Sequence, residues 1–194
     1  MIRLTPVVRN IIIINVIIFV LQNVMPGVTN LLSLWNVRSD NFMPYQLFTY
    51  MFCHGGFFHI FFNMIVLASM GPVLESFWGQ NRFIIFYLFT GIGAGVFNVA
   101  IDFFFLDSPS FGLMMGASGA IYGVLMGFGM LFPNMEVMLL IPPIPIKAKY
   151  LVWVLGLMTL LIGGGNVAHL AHLGGIIFAF ILIRYWRSQG GSYF

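Results

Sequence analysis

Ser118, His172 and the pair His59 and Asn63 have the residue types and spacing for one kind of chemistry, acyl transfer. A serine hydroxyl is a poor nucleophile until a neighbouring base takes its proton, and histidine titrates in the useful range. Ser118 lies within Gly116-Ala117-Ser118-Gly119, where the flanking glycines let backbone and substrate approach the hydroxyl closely. His59 and Asn63 stand four apart and share one helix face. With the Ser118 amide they can supply the fixed donors that a tetrahedral oxyanion needs. No aspartate lies near His172 in sequence, so a Ser–His dyad is the economical reading. Taken singly these signals are ordinary, because a serine in an apolar helix usually bonds back to its own helix or packs at a small-residue interface. Their weight comes from where the rest of the chain puts them.

The chain is 60% hydrophobic and only 7% charged, with a mean hydropathy of +1.00. A soluble domain carries about 25% charged residues, so lipid must be the solvent for most of this surface. The eight basic residues are scattered singly, so no nucleic-acid partner is expected. One cysteine, Cys53, permits no intrachain disulfide. A spanning helix needs roughly 20 mostly apolar residues. Six segments qualify: about 7–25, 57–78, 81–104, 116–132, 148–163 and 167–186. The first is read as a retained span, since no small-x-small cleavage site follows it. Residues 1–194 are expected to form a single all-α, six-helix polytopic membrane domain. No soluble domain is expected at either end, which fits a bacterial cytoplasmic (inner) membrane.

Arg3, Arg9, Arg82, Lys147, Lys149, Arg184 and Arg187 fall on one side of such a bundle, and only Arg38 on the other, with Asp40 and Asp107. The excess of basic residues marks the cytoplasmic side, which places both termini there. This topology brings His59, Asn63, Ser118 and His172 to one depth near the non-cytoplasmic face, from three helices distant in sequence. Polar groups inside a membrane cost free energy unless they pair or act. Glu75 and His169 are the other such groups.

His54-Gly-Gly-Phe-Phe-His-Ile-Phe-Phe-Asn-Met64, Gly116-Ala-Ser-Gly-Ala-Ile-Tyr-Gly123 and Ala171-His-Leu-Gly-Gly-Ile-Ile-Phe-Ala179 together resemble the rhomboid intramembrane proteases, in that family's order and on the matching spans. The resemblance covers essentially the whole chain as a six-span rhomboid bundle. It implies Ser118 as nucleophile and His172 as base, with Tyr122 packed against the imidazole. His59, Asn63 and backbone near Gly116 then stabilise the oxyanion. Gly175 and Ala179 match small positions that let the sixth helix lie close to the fourth, and Glu75 is expected to tie the second helix to its neighbours. His169 matches no catalytic position. The loop between the first two spans departs from the family, reading Tyr45-Gln46 where relatives commonly carry Trp-Arg.

The implied activity is serine endopeptidase cleavage of single-span transmembrane proteins near the non-cytoplasmic side. Water would reach Ser118 through a cavity lined by the His54–His59 region. No metal or organic cofactor is implied, and the lipid bilayer is the other partner; the sequence carries no signal of oligomeric state. A metalloprotease would need His-Glu-x-x-His, which is absent. An aspartyl protease would need a partner for Asp102. The alternative within the same fold is a catalytically inactive, client-binding rhomboid-like protein, a class that generally lacks the serine or the histidine.

Overall fold

The computed structural model describes residues 3–105, 113–139, 142–162 and 166–190; Asp107 and the first three residues of the tight turn that the sequence suggests at 163–167 (Gly-Gly-Gly-Asn-Val) lie outside them. Apolar helices occupy α1 (Pro6–Val24), α4 (Phe57–Trp78), α5 (Gln80–Phe105), α6 (Ser118–Leu131), α7 (Ala148–Ile162) and α8 (Asn166–Ser188). Their ends differ by at most two residues from the segments read in the sequence. The protein is an all-α, multi-pass membrane protein. Among the described residues, α1, α4, α5 and α8 are long and apolar enough to cross a bilayer, while α6 and α7 are shorter apolar helices. At 1.5 Å per residue the 14 residues of α6 extend about 21 Å, less than the roughly 30 Å hydrocarbon core.

The connections hold more structure than the sequence disclosed. Between α1 and α4 lie two short helices, α2 (Val28–Leu32) and α3 (Gln46–Thr49), and a 3-10 turn at Tyr50–Phe52. Gln46 organises this segment and is 1% exposed. Its Oε1 accepts from the amides of Trp35 and Met43, and its Nε2 donates to the carbonyls of Asn41 and Leu31. The Tyr45 hydroxyl also donates to Leu31. The departure at Tyr45-Gln46 is thus satisfied within the loop by amide chemistry. Between α6 and α7 the chain forms an antiparallel ribbon, β1 (Glu136–Met138) with β2 (Pro145–Lys147). It pairs Glu136 across from Lys147, a favourable opposite-charge register.

Helix association in lipid rests on close packing and hydrogen bonds rather than on the hydrophobic effect. On the α1–α4 seam, Gly71 lies where a Cβ would come within 2.7 Å of Val8 Cγ2. One turn further along α4, the Glu75 carboxylate accepts from the Thr5 hydroxyl and from the amides of Val7 (3.1 Å) and Val8 (2.9 Å). The first turn of α1 therefore has its free N–H groups capped by a side chain of another helix. Glu75→Ala is expected to lower stability by about 2–4 kcal/mol, because two amides lose their acceptor where water does not replace it. Unfolding of the detergent-solubilised protein measures this, and an unchanged midpoint would refute the capping role.

At the far end of the bundle Trp78 packs on Phe86 (4.7 Å) and Trp186 (5.3 Å), with Arg82 over the Trp186 ring. Aromatic and basic residues favour the membrane–water interface. This cluster clamps α4, α5 and α8 at the level opposite Ser118.

Candidate active site

Ser118 is the first residue of α6, and the segment ahead of it is tethered at three points. Leu34 and Met114 exchange both backbone hydrogen bonds in an isolated antiparallel bridge (2.9 and 3.0 Å). The Gly116 amide donates to the Tyr50 carbonyl (3.0 Å). The Ala117 amide donates to His54 Nε2 (3.5 Å). All three partners come from the connection between α1 and α4; Leu34 and Tyr50 act through backbone atoms, which leave no residue-type signature, and His54 acts through its ring. Gly116 has φ +126, a conformation that an L side chain adopts only with strain. The first backbone bond of α6 runs from Ile121 to Ala117, so the Ser118, Gly119 and Ala120 amides precede the helical ladder.

His59, in the first turn of α4, lies against this segment. A Cβ on Gly116 would stand 2.7 Å from both Cε1 and Nε2 of His59. The Gly55 amide donates to His59 Nδ1 (3.3 Å). Nδ1 is thus an acceptor, so in the neutral ring the proton is on Nε2, at the Gly116 edge. Asn63, one turn on, is 6% exposed, and one of its amide hydrogens goes to the His59 carbonyl (3.0 Å). The second N–H of that amide is available to another acceptor.

His54 precedes α4 and stacks edge-on against His59, with centroids 5.0 Å apart. It is 3% exposed and engaged with Ala117. Burial, and then the neighbouring His59, push its pKa down to about 3. The ring is therefore neutral at pH 7, with Nε2 an acceptor.

His172 lies on α8, where the helix meets α6 at very short range. A Cβ on Gly175 would collide with the Gly119 carbonyl, and a Cβ on Gly119 would stand 3.6 Å from the Ala171 carbonyl oxygen. Ala179, one turn beyond Gly175, is fully buried. The His172 imidazole lies on the Tyr122 ring with centroids 4.0 Å apart and planes 14° apart. Tyr122 is one helical turn after Ser118 on α6. His172 Nδ1 is buried and has no hydrogen-bond partner among the described residues. His169 is half-buried, its ring 6.4 Å from His172 and nearly perpendicular to it.

The fold thus gathers Gly116, Ser118, Tyr122, His59, Asn63 and His172 at one end of α4, α6 and α8. Among the described residues no group of three His, Cys, Asp or Glu side chains is placed to hold a metal ion. What this arrangement can supply is a hydroxyl at a helix start, a neutral donor from His59, an amide donor from Asn63 and a stacked imidazole.

A family model described as the Rhomboid domain matches residues 41–189. Among curated proteins, the chain is 31% identical over 134 residues to Rhomboid protein 1, mitochondrial, of Saccharomyces cerevisiae, covering 64% of this chain and 36% of that protein. It is 31% identical over 117 residues to Rhomboid protease GluP of Bacillus subtilis, covering 57% and 22%. It is 30% identical over 149 residues to Presenilin-associated rhomboid-like protein A, mitochondrial, of Danio rerio, covering 71% and 38%. The chain therefore spans less than two fifths of the length of each of these relatives.

Proposed function

This chain belongs to the rhomboid family, and on that premise we propose that it is an intramembrane serine protease acting through Ser118 and His172. The observation that carries the reading is the His172–Tyr122 stack one turn from Ser118, with the Gly116 edge of His59 beside it. Ser118 Oγ attacks the scissile carbonyl carbon while His172 Nε2 takes the hydroxyl proton. The carbonyl oxygen becomes an oxyanion facing His59 Nε2–H, the free N–H of Asn63 and the Ser118 amide. His172 returns the proton to the leaving amine as the C–N bond breaks, which leaves an ester on Ser118. Water, deprotonated by the same imidazole, then hydrolyses the ester. Each fixed donor at such a site is worth about 100- to 1000-fold in rate.

With Nε2 directed at Ser118, the proton resides on Nδ1, for which the described residues offer no acceptor. The ring is oriented by stacking rather than by a carboxylate, as a dyad requires. The brevity of α6 supports cleavage inside the hydrocarbon layer, since a helix of about 21 Å whose last residue reaches the cytoplasmic surface leaves Ser118 short of the other one. Substrates are single-span transmembrane proteins that unwind near their outer end. We read α6 and α7 as the two remaining crossings of a six-span bundle with both termini cytoplasmic, as the basic residues indicate.

A fluorophosphonate probe is expected to label the reconstituted protein, with the adduct mapping to Ser118 by peptide mass spectrometry. A fluorescent transmembrane peptide should be cut under the same conditions. Reporter fusions that are active only outside the cytoplasm should be silent at both ends of the chain. The absence of both labelling and cleavage would overturn the catalytic reading; an active terminal reporter would overturn the orientation.

A further inference from the structure

We infer that Thr159 is a positioning residue, its hydroxyl latching Tyr122, and through Tyr122 the His172 imidazole, to α7. The inference rests on the protease reading for its kinetic consequence, and on geometry alone for its structural one.

The buried residues of α7 sit at its beginning, Ala148, Leu151 and Val152. From 153 to 161 no residue is fully buried, and Trp153, Leu157, Leu160 and Leu161 are exposed. Among the described residues, the half of α7 beside Tyr122 is thus held by partly buried side chains such as Leu155 and by no fully buried one. Among the described residues one polar contact crosses there, between the Tyr122 hydroxyl and Thr159 Oγ1 at 3.0 Å. Thr159 Oγ1 also donates to the Gly156 carbonyl at 2.9 Å. Since that bond uses the only threonine hydroxyl proton, Tyr122 must be the donor in the other.

Intrahelical back-bonding is the usual fate of a threonine in an apolar helix. It accounts for the Gly156 bond and leaves the Tyr122 bond unexplained. At Gly156 a Cβ would stand 3.9 Å from Tyr122 Cε1, so the tyrosine ring edge meets α7 where that helix has no side chain. Its face carries the imidazole, and His172 Nδ1 has no hydrogen-bond partner of its own among the described residues. The tyrosine that orients the base is therefore fixed by α6 at its Cα and by α7 at its hydroxyl. A shift of the outer half of α7 passes directly to His172.

The test compares Thr159→Val, Tyr122→Phe, the double variant and Thr159→Ser. Thr159→Val should lower kcat about 5-fold with KM unchanged, the worth of one neutral hydrogen bond. Tyr122→Phe, which keeps the ring and the stack, should match it, and the double variant should be no worse than either single one. Thr159→Ser should restore kcat to within about 2-fold of wild type. The activity-independent arm is NMR of protein labelled with 15N-histidine. Four histidines give four pairs of ring-nitrogen signals, and the His172 signal is assigned by its loss in His172→Ala. This signal should move in Thr159→Val and Tyr122→Phe alike and return in Thr159→Ser. A His172 signal in Thr159→Val superimposable on wild type overturns the latch, as do losses that multiply in the double variant. If the wild-type protein neither labels nor cleaves, the protease reading fails and the NMR arm alone decides the latch.

Discussion

Ser118→Ala is expected to reduce cleavage of a transmembrane peptide by a factor on the order of 10⁴ or more, and His172→Ala by a comparable factor. Nucleophile and base act as one unit, so the double variant should be no worse than either single one. The two substitutions should differ in stability. Ser118 is half-buried at the start of α6, and loss of its Oγ takes away no packing of consequence. His172 is 9% exposed and stacked on Tyr122, so its truncation leaves a void beside the tyrosine and should lower the unfolding midpoint. Steady-state cleavage by the purified variants, with unfolding measured on the same samples, separates these effects. Wild-type activity in Ser118→Ala would sink the assignment of the nucleophile.

Gly175→Ala is the second large effect, and it touches no reacting atom. The added methyl would collide with the Gly119 carbonyl, a backbone atom at the start of α6 that cannot swing aside as a side chain does. The helices must separate instead, and His172 withdraws from Ser118, because the two residues lie one turn or less from the collision. A misplacement of about 1 Å at reacting groups costs roughly 100-fold in rate, and overpacking of this kind costs about 1–3 kcal/mol of stability. The expected result is a kcat about 100-fold lower with a reduced unfolding midpoint. Fluorophosphonate labelling of Ser118 should slow in step, since it needs the same base and no peptide. Unaltered kcat in a folded Gly175→Ala protein would show that the α6–α8 distance does not set catalytic geometry.

The helices were legible because hydropathy is a local signal: a chain with 7% charged residues betrays a span wherever apolar residues run unbroken. Gln46 was seen only as a departure from Trp-Arg, because its four hydrogen bonds within the loop depend on where the backbone turns. The ribbon between α6 and α7 has no sequence signal of its own, because Pro142, Pro143 and Pro145 interrupt any alternation of apolar and polar residues there. Thr159 was overlooked for a related reason. In sequence it is one polar residue in an apolar helix, and its bond to Tyr122 reaches across 37 positions.

For the candidate site the division follows the same physics. Residue types, their intervals and the common depth that the span order gives them pointed to Ser118, His172 and the His59–Asn63 pair, and the family resemblance added Gly116. Composition and charge asymmetry alone led to a membrane bundle. The tertiary structure decided what holds those residues in place. The Leu34 bridge, the Tyr50 carbonyl and His54 tether the segment before Ser118, the Gly119–Gly175 approach sets the α6–α8 distance, and Tyr122 stands between His172 and Thr159. Each of these contacts joins stretches of chain far apart in sequence, and most are made by backbone atoms that every residue carries. Apart from the small residues at Gly175 and Ala179 and the stacking expected of Tyr122, such contacts leave no periodicity for a sequence to display, so they exist only once the helices have packed.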